Sequence, residues 1–190
     1  MTSKTQSAGQ RAGRRLWLAL AVVALLVGGY FAVTAAVRAH VDGVIAGALD
    51  KPLPEFTLTA RDGRQWTAAD LRGRRVVLHF FRSRCAACAA EAPEICALEQ
   101  QLPEGVVLLH VMTDRVMGFD EALTRATLAH DGFAAPVLMA DAGFMDAFHS
   151  VAWSKVTPIT YVVDAAGMVR FGLLGLQSRA AILAALAELS

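Results

Sequence analysis

The hydrophobic and polar positions divide the chain into one long apolar run and a remainder in which short apolar runs recur. Residues 16–37 contain no charged side chain, and a helix of that length spans about 30 Å of hydrocarbon. Further along, runs rich in β-branched and aromatic residues predict strands at 56–59, 65–67, 74–81, 106–112, 137–139, 159–163 and 168–173. The segments between and after them predict helices at 68–71, 86–102, 119–130, 143–149 and 179–189. Strands that alternate with helices indicate an α/β fold with a mixed central sheet flanked by helices.

The same pattern predicts four consecutive segments. A polar N-terminal tail, 1–14, is expected to be disordered and to lie in the cytoplasm. A transmembrane anchor, 15–39, follows it. A tether of mixed character, 40–52, comes next, and its residues 41–47 are a weak candidate for extending the helix. The remaining residues, 53–190, suit one globular domain.

The charge and the hydropathy of the chain indicate where the protein is located and which kinds of partner it binds. The chain has 18 lysines and arginines against 17 aspartates and glutamates, so its bulk charge gives no basis for binding nucleic acid. A mean hydropathy of +0.44 is high for a soluble domain and agrees with a membrane segment. Basic residues before the apolar run favour a cytoplasmic N-terminus and export of the rest of the chain; they are Lys4, Arg11, Arg14 and Arg15. A cleaved signal peptide is the alternative, although its apolar core is usually about 7–15 residues long and this run is longer.

Two cysteines, Cys85 and Cys88, stand where a predicted strand gives way to a predicted helix. The N–H groups at a helix N-terminus carry partial positive charge, which stabilises a thiolate. Arg82 and Arg84 add positive charge close by in the sequence. A C-x-x-C pair in such a context favours redox chemistry.

Two other interpretations of the pair stay open at this point. One is half of a zinc site, which needs four nitrogen or sulfur ligands; the remaining candidates are Cys96, His79 and His110. The other is a pair of buried, unreactive thiols. Cys96 itself is expected to be a buried apolar thiol. We therefore assign neither a metal nor another cofactor from the sequence.

Four segments of the domain carry a resemblance to a known family. They are 53–58 followed by Asp62-Gly63, 71–78, Cys85-x-x-Cys88-x-x-Glu91-x-Pro93, and 156–164 with Gly167. In this order, behind an N-terminal anchor, they resemble the TlpA/ResA-type thioredoxin-like proteins, which are membrane-anchored thiol-disulfide oxidoreductases of bacteria. The resemblance implies a thioredoxin-like fold. It also implies a single-pass signal anchor in the bacterial inner (cytoplasmic) membrane, with the domain on the periplasmic or extracytoplasmic side.

The resemblance implies roles for individual residues as well. Cys85 is the expected nucleophile and Cys88 the resolving thiol, so that the two form a redox-active disulfide. Glu91, one helical turn after Cys88, is expected to accept or relay its proton. Pro158 is expected to follow a cis peptide bond. The backbone of Thr157 would then lie against the cysteines and pair with an extended strand of a partner.

Two residues depart from the pattern of the family. Arg84 stands directly before the first cysteine, where the family usually has tryptophan. His79 stands where thioredoxins have a buried aspartate and many anchored relatives have asparagine. Both are therefore candidates for tuning the redox potential. For His79 the alternative is a core histidine with one backbone partner and no functional role.

The expected function is reduction of disulfides in specific exported proteins, such as the haem-attachment cysteines of apocytochrome c or copper-site cysteines. Its partners would be those protein substrates and a membrane electron donor of the thiol-reducing type. A peroxiredoxin-like peroxidase is one alternative, but that chemistry wants Thr and Pro just before the reactive cysteine, where residues 82–84 are Arg-Ser-Arg. A copper-delivery module is another; it would pair the two cysteines with a later histidine, for which His149 is the candidate.

Overall fold

The computed structural model describes residues 5–148 and 156–189, with side chains described from residue 14 onward. Contacts divide the chain into two units, Met1–Val44 and Ile45–Ser190. The first unit consists largely of α1 (Thr5–Ala48), whose side chains are exposed all round from residue 14 to residue 40. The stretch Arg14–Ala48 is long and apolar enough to cross a membrane, a property that signal sequences share.

Helix α1 differs from the sequence prediction at both ends. It begins at Thr5, within the tail 1–14 that was expected to be disordered. It continues to Ala48, so the weak helical extension over 41–47 forms and the helix takes up most of the segment 40–52. Ile45 and Ala48 are buried, and burial of this apolar side supports the last turn of the helix.

The second unit contains seven strands and four α-helices among the described residues. The strands are β1 (Thr57–Thr59), β2 (Gln65–Thr67), β3 (Arg75–Phe81), β4 (Val106–Met112), β5 (Val137–Met139), β6 (Ile159–Val163) and β7 (Val169–Leu174). The helices are α2 (Ala86–Glu99), α3 (Glu121–Asp131), α4 (Ala142–Phe148) and α5 (Arg179–Ala187), and a short 3-10 turn, Ala68–Leu71, follows β2. The predicted elements are all present, with ends that shift by at most a few residues.

Five of the strands form one mixed sheet in the order β5-β4-β3-β6-β7. Strands β3, β4 and β5 are parallel, whereas β6 and β7 run antiparallel to their neighbours. The mixed central sheet predicted from the sequence is therefore confirmed. Strands β3 and β4 are nearly continuous apolar runs because helices cover both faces of the sheet. They also begin together, with Arg75 opposite Val106, and this register places His79 opposite His110.

Helices α2 and α5 cover one face of the sheet. Their apolar side chains form a single cluster with β3, β4 and β6, which includes Val77, Ile95, Leu98, Val162 and Ile182. The aromatic rings of α4 pack against Phe80 and Tyr161, which belong to β3 and β6. This packing fixes the start of α2 against the end of β3, which is where the two cysteines lie.

Backbone segments near the start of this unit pair with both outer strands of the sheet. The N–H group of Arg61 donates to the carbonyl of Val137 on β5 at 2.9 Å. At the other edge, the N–H group of Asp50 donates to the carbonyl of Val169 at 2.8 Å. The N–H group of Val169 donates in turn to the carbonyl of Lys51 at 2.9 Å. The residues that follow α1 are thus hydrogen-bonded into the domain.

Gly172 on β7 marks a close approach between the sheet and the end of α1. A Cβ atom at this position would lie 2.5 Å from Cγ2 of Ile45 and 3.1 Å from Cε1 of Tyr161. The 2.5 Å contact is too short for two carbon atoms, so any side chain at this position forces Ile45 to shift.

Candidate active site

Cys85 and Cys88 are joined in a disulfide at the junction between β3 and α2. Their sulfur atoms are 2.10 Å apart and their Cα atoms 5.2 Å apart. Cys85 is the N-cap residue of α2, and the N–H group of Cys88 points at its Sγ atom from 3.1 Å. Cys88 is buried, whereas Cys85 is only half-buried. An incoming sulfur atom therefore reaches Cys85 first, and the partial positive charge of the helix N-terminus favours a thiolate there.

The segment before β6 closes over the exposed side of the disulfide. The peptide bond between Thr157 and Pro158 is cis, as the resemblance implied. The carbonyl oxygen of Thr157 lies 3.6 Å from Sγ of Cys85, and its hydroxyl group points at the same sulfur from 3.5 Å. Sequence positions 72 residues apart thus meet at one sulfur atom.

A buried polar network fixes the turn that precedes Cys85. The carboxylate of Asp114 accepts hydrogen bonds from the N–H group of Ser83 at 2.7 Å, from the Ser83 hydroxyl at 2.5 Å and from the Thr124 hydroxyl at 2.8 Å. The Ser83 hydroxyl also lies 2.7 Å from that of Thr127. Ser83 and Asp114 are fully buried. The network ties the turn after β3, the loop after β4 and helix α3 together just before Cys85.

The two arginines beside the pair have different environments. Arg82 donates from one nitrogen to the carbonyls of Ser83 and Arg84, both at 3.0 Å, so it also holds the turn. Arg84 is exposed, has a positive φ of 54°, and lies over the ring of Phe119 at 5.7 Å. A cavity of about 520 Å³, lined by both arginines, opens beside Cys85.

Beneath the disulfide, four ionisable side chains form one buried chain of hydrogen bonds. Glu91 Oε2 lies 3.2 Å from Nε2 of His79. Nδ1 of His79 lies 3.0 Å from Nδ1 of His110, and Nε2 of His110 lies 2.8 Å from Oε1 of Glu99. Glu91, His79 and His110 are fully buried, and the Glu99 side chain is 10% exposed. We call this set the Glu–His–His–Glu chain. His79 therefore contacts two side chains, which differs from the core histidine with one backbone partner considered above.

Aromatic rings and backbone N–H groups complete the surroundings of this chain. The His79 ring stacks on Phe81, and the His110 ring stacks on Phe133 at 4.2 Å between centroids. The free oxygen of Glu91, Oε1, accepts from the N–H group of Gln177 at 2.8 Å. At the other end, Glu99 accepts from two consecutive N–H groups, those of Ala134 and Ala135.

The outer end of the chain has perturbed ionisation. Burial lowers the pKa of His110 to about 4, although the hydrogen bond to Glu99 opposes that shift. Burial alone would raise the pKa of Glu99, but the hydrogen bonds from His110, Ala135 and Ala134 outweigh it and leave the pKa below its usual value. At neutral pH the outer end therefore combines a neutral imidazole with an ionised carboxylate.

Cys96 takes no part in the disulfide. Its thiol is half-buried and points at the carbonyl of Asp131 from 3.3 Å. Burial raises the pKa of this thiol, and the negative charges of Glu99 and Asp131 raise it further. The sequence predicted a buried apolar thiol; Cys96 is only half-buried, and its raised pKa keeps it largely protonated at neutral pH.

The structure thus brings together most of the residues singled out in the sequence. Half-buried Cys85 and Thr157 meet beside buried Cys88 and Pro158, and Glu91 and His79 meet in the core. Sulfur atoms bonded to each other are not thiolate ligands for zinc, and no group of three or more His, Cys, Asp and Glu residues in the described part of the chain is arranged to hold a metal ion. His149, the candidate for a copper site, lies outside the described residues.

Four residues of the site were not assigned a role in it from the sequence: Ser83, Asp114, His110 and Glu99. The strand lengths held one signal that the predicted bounds, 74–81 and 106–112, did not show: in the structure His79 and His110 are each the fifth residue of a seven-residue strand. Two parallel strands that start together place such residues side by side. The carboxylates had no comparable signal.

Comparison with known proteins agrees with this geometry. The family model described as AhpC/TSA matches residues 49–171, which is more than half of the chain. The chain belongs to the AhpC/TSA family. A comparison with curated proteins finds no match.

Solved structures similar to this family member share its fold. A thiol:disulfide interchange protein of the thioredoxin family from Chlorobium tepidum is 22% identical, with 73% of this chain and 95% of that chain covered and a TM-score of 0.61. An exposed lipoprotein thioredoxin from Streptococcus pneumoniae is 24% identical, with 71% and 99% covered and a TM-score of 0.59. The thioredoxin domain of a thiol-disulfide oxidoreductase from Bacteroides vulgatus is 16% identical, with 74% and 96% covered and a TM-score of 0.60. The predicted thioredoxin-like fold is therefore confirmed, and together with the Cys85–Cys88 pair it supports a redox role.

Proposed function

We propose that the protein is a membrane-anchored thiol-disulfide oxidoreductase of the TlpA/ResA type, which reduces disulfides in specific exported proteins. One observation carries this proposal. The half-buried sulfur of Cys85 is bonded to the buried sulfur of Cys88 at a helix N-terminus, with the Thr157 carbonyl 3.6 Å away. This arrangement combines an accessible nucleophile, a protected resolving thiol and a backbone group for a partner.

In the reductive direction the reaction begins with the dithiol. The Cys85 thiolate attacks one sulfur of the substrate disulfide, whose S–S bond breaks, and the other substrate sulfur leaves as a thiolate that takes a proton. Cys88 then loses its proton and attacks Sγ of Cys85, which releases the second substrate thiol. Two electrons pass to the substrate, and the protein ends with the Cys85–Cys88 disulfide.

Glu91 is the proposed acceptor of the Cys88 proton. It follows Cys88 by one helical turn on α2 and is fully buried, so its carboxyl group acts without competition from bulk water. The Gln177 N–H group and the His79 ring hold both of its oxygen atoms in place. Burial of the acceptor next to a buried thiol suits a proton transfer that happens only after the mixed disulfide has formed.

The proposed partner site is the surface around Cys85. The carbonyl of Thr157 faces the reactive sulfur, so an extended segment of a substrate would pair with it while its own disulfide meets Cys85. The cavity beside Cys85 gives room for side chains of that segment, and exposed Arg84 at its rim favours acidic ones. Candidate substrates are the haem-attachment cysteines of apocytochrome c and copper-site cysteines.

The proposed location is the bacterial inner membrane, with the domain on the periplasmic or extracytoplasmic side. The long apolar helix and the basic residues before it support this orientation. A disulfide persists there unless a dedicated reductant acts on it. We therefore include a membrane electron donor of the thiol-reducing type as the second partner, which returns two electrons and two protons to the pair.

Trapping of a covalent complex tests the function. Cys88→Ser removes the resolving thiol, so the variant should accumulate a mixed disulfide between Cys85 and a substrate protein. Addition of a reductant should break this mixed disulfide. The matched control, Cys85→Ser, should trap nothing. The proposal fails if Cys88→Ser traps no more than the control and the wild-type full chain reduces insulin disulfides no faster than the control does. Consumption of hydrogen peroxide at the same Cys85 would instead support the peroxidase alternative.

The direction and the location need separate measurements. In cells, a mainly reduced Cys85–Cys88 pair supports a reductase, and a mainly oxidised pair supports an oxidase. Labelling of reduced Cys85 in intact spheroplasts by a thiol reagent that does not cross membranes tests export. Absence of labelling before lysis would refute it, and recovery of a shortened chain in the soluble fraction would show a cleaved signal peptide.

A further inference from the structure

We propose that His110 and Glu99 are positioning residues of the dithiol site, which fix through His79 where the protons and the charge of the Glu–His–His–Glu chain lie. The inference rests on the proposed function, because it concerns the proton acceptor of Cys88. Neither His110 nor Glu99 contacts a cysteine of the disulfide. They act from the far end of a hydrogen-bonded chain that starts one helical turn after Cys88.

The geometry fixes how many protons this chain holds. Three hydrogen bonds join its four groups, and each hydrogen bond needs one proton. The central one joins two Nδ1 atoms that are 3.0 Å apart. Without a proton between them, two lone pairs would face each other in a buried site, which is strongly unfavourable. The four groups therefore share three protons, and their net charge is −1.

The outer end fixes the direction in which the protons point. Glu99 is ionised, and its oxygens accept from the N–H groups of Ala134 and Ala135, so it accepts from His110 as well. His110 is fully buried and stacks on the Phe133 ring, which disfavours a charged imidazole, so its ring carries a single proton, on Nε2. Its Nδ1 atom is left as an acceptor, so His79 must donate from Nδ1.

The third proton consequently lies between Oε2 of Glu91 and Nε2 of His79. The pair is either a carboxylic acid facing a neutral ring or a carboxylate facing an imidazolium, and in both forms it has no net charge. The negative charge of the chain stays at Glu99, about 12 Å further along α2 at 1.5 Å per residue. The N–H group of Gln177 donates to the other oxygen of Glu91 and is compatible with both forms.

This placement of charge favours the resolving step. When Cys88 loses its proton to the Glu91–His79 pair, the pair gains one positive charge while the thiolate gains one negative charge. The two charges lie close together and stabilise each other. If the charge of the chain lay on Glu91 instead, the same transfer would leave a neutral pair beside the thiolate. With Glu91 ionised, loss of the Cys88 proton to solvent leaves two negative charges side by side, so the free thiolate then forms only at higher pH.

The other groups around the chain do not supply an alternative proton. Among the described residues, α2 contributes the Cys96 thiol, which lies near Glu99 and is held protonated by burial and by the charges of Glu99 and Asp131. Helix α3 contributes Asp131, which is also 3.1 Å from His130. Strand β6 contributes Thr160 opposite His79, which is uncharged.

Two substitutions at the outer end should reverse the direction in which His79 donates its hydrogen bond. In Glu99→Leu, His110 has no acceptor at Nε2, so its proton moves to Nδ1 and donates to His79, which then donates from Nε2 to an ionised Glu91. His110→Phe keeps the stacking with Phe133 and should move the His79 proton to Nε2 in the same way. Glu99→Gln keeps an acceptor oxygen for His110, since the Ala134 and Ala135 N–H groups orient the amide, and should retain the wild-type tautomers.

The test uses the full chain in detergent micelles with ¹⁵N-labelled histidine. Protonated and unprotonated ring nitrogens differ clearly in ¹⁵N shift, so the tautomers of His79 and His110 are read directly. Wild type and Glu99→Gln should show His79 protonated at Nδ1 and His110 at Nε2. Glu99→Leu and His110→Phe should show His79 protonated at Nε2. Glu104→Gln, a charge change at an exposed position, should leave the tautomers as in wild type.

The second measurement is the rate at which Cys88 resolves a mixed disulfide of Cys85 with a small thiol, as a function of pH. The pH of half-maximal rate should rise by about one unit in Glu99→Leu and His110→Phe, and should move far less in Glu104→Gln. Wild-type tautomers opposite to those above, or an unchanged His79 tautomer in both variants, would overturn the proposal. Failure of Cys88→Ser to trap substrates would instead count against the proposed function. The tautomers measured for His79 and His110 do not depend on that result.

Discussion

Replacement of Asp114 by alanine should loosen the turn that carries the nucleophile. The carboxylate accepts three hydrogen bonds, two from Ser83 and one from Thr124, and all of these donors are buried. In Asp114→Ala the Ser83 hydroxyl can still pair with Thr127, 2.7 Å away. The N–H group of Ser83 loses its partner and stays away from water, at a cost of about 1–3 kcal/mol.

The three losses are not additive, because the substitution also removes a carboxylate whose burial is itself unfavourable. We therefore expect Asp114→Ala to lower the free energy of unfolding by about 3 kcal/mol. Asp114→Asn keeps an acceptor for the Ser83 N–H group and should cost about 1 kcal/mol. Asp120→Ala is a matched control: it removes the exposed N-cap of α3, whose carboxylate accepts from the Leu123 N–H group, and should cost about 1 kcal/mol.

The assay is urea denaturation of the full chain in detergent, with unfolding monitored by tryptophan fluorescence. The rate of insulin reduction is measured on the same samples. Asp114→Ala should be the least stable of the three variants and the slowest in disulfide exchange, because Cys85 lies two residues after Ser83. If Asp114→Ala is no less stable than Asp120→Ala, the buried network does not hold the turn and the reasoning is wrong.

Three further predictions concern the core, the response to pH and the unpaired cysteine. Gly172→Ala should lower the free energy of unfolding, measured in urea, by about 1–3 kcal/mol, because the new methyl group meets Ile45 and Tyr161. Ile45→Ala should cost less stability in the Gly172→Ala background than in wild type. Strictly additive effects of the two substitutions would contradict the close contact. Below about pH 6.5, His110 takes up a proton in the unfolded chain but not in the folded one, where it is buried. The free energy of unfolding should therefore fall by about 3 kcal/mol as the pH drops from about 6.5 to about 4. His110→Phe should make stability less dependent on pH in this range, and an unchanged dependence would argue against a neutral His110. After reduction, Cys96 should react with iodoacetamide at pH 7 more slowly than Cys85 does, because burial raises its pKa; mass spectrometry of the first labelled peptide decides.

Local patterns were sufficient to predict the secondary structure of this domain. Strands β4 and β6 have the predicted ends, because each is a short β-branched run between clear turn residues. The start of α1 was predicted too late, and its extension over 41–47 was predicted only weakly, because hydropathy identifies the apolar core of a helix but says little about where its outer turns end. Burial of Ile45 against the domain extends the helix, and that burial depends on the tertiary structure.

The same distinction between local patterns and tertiary structure applies to the candidate site. The cysteine pair, Glu91 and the proline loop were identified because they lie in short motifs that resemble those of a family. The partners of His79 were not identified, since they depend on which strands are neighbours and on their register. Asp114 comes just after a strand, where a carboxylate has no distinguishing pattern, and only the fold brings it to Ser83.

The pairing at both outer strands limits how this domain meets other proteins. Strand β5 is bridged by Ala60, and the start of β7 pairs with the backbone of Asp50 and Lys51. A free strand edge is a template on which other chains, including further copies of the same protein, polymerise. In the proposed function, the domain is anchored to a membrane and handles unfolded cysteine-containing segments, which would expose it to that hazard. Its own backbone pairs with part of each outer strand, so the proposed contact for an extended substrate is the Thr157 carbonyl beside Cys85, where contact would lead to exchange rather than to aggregation.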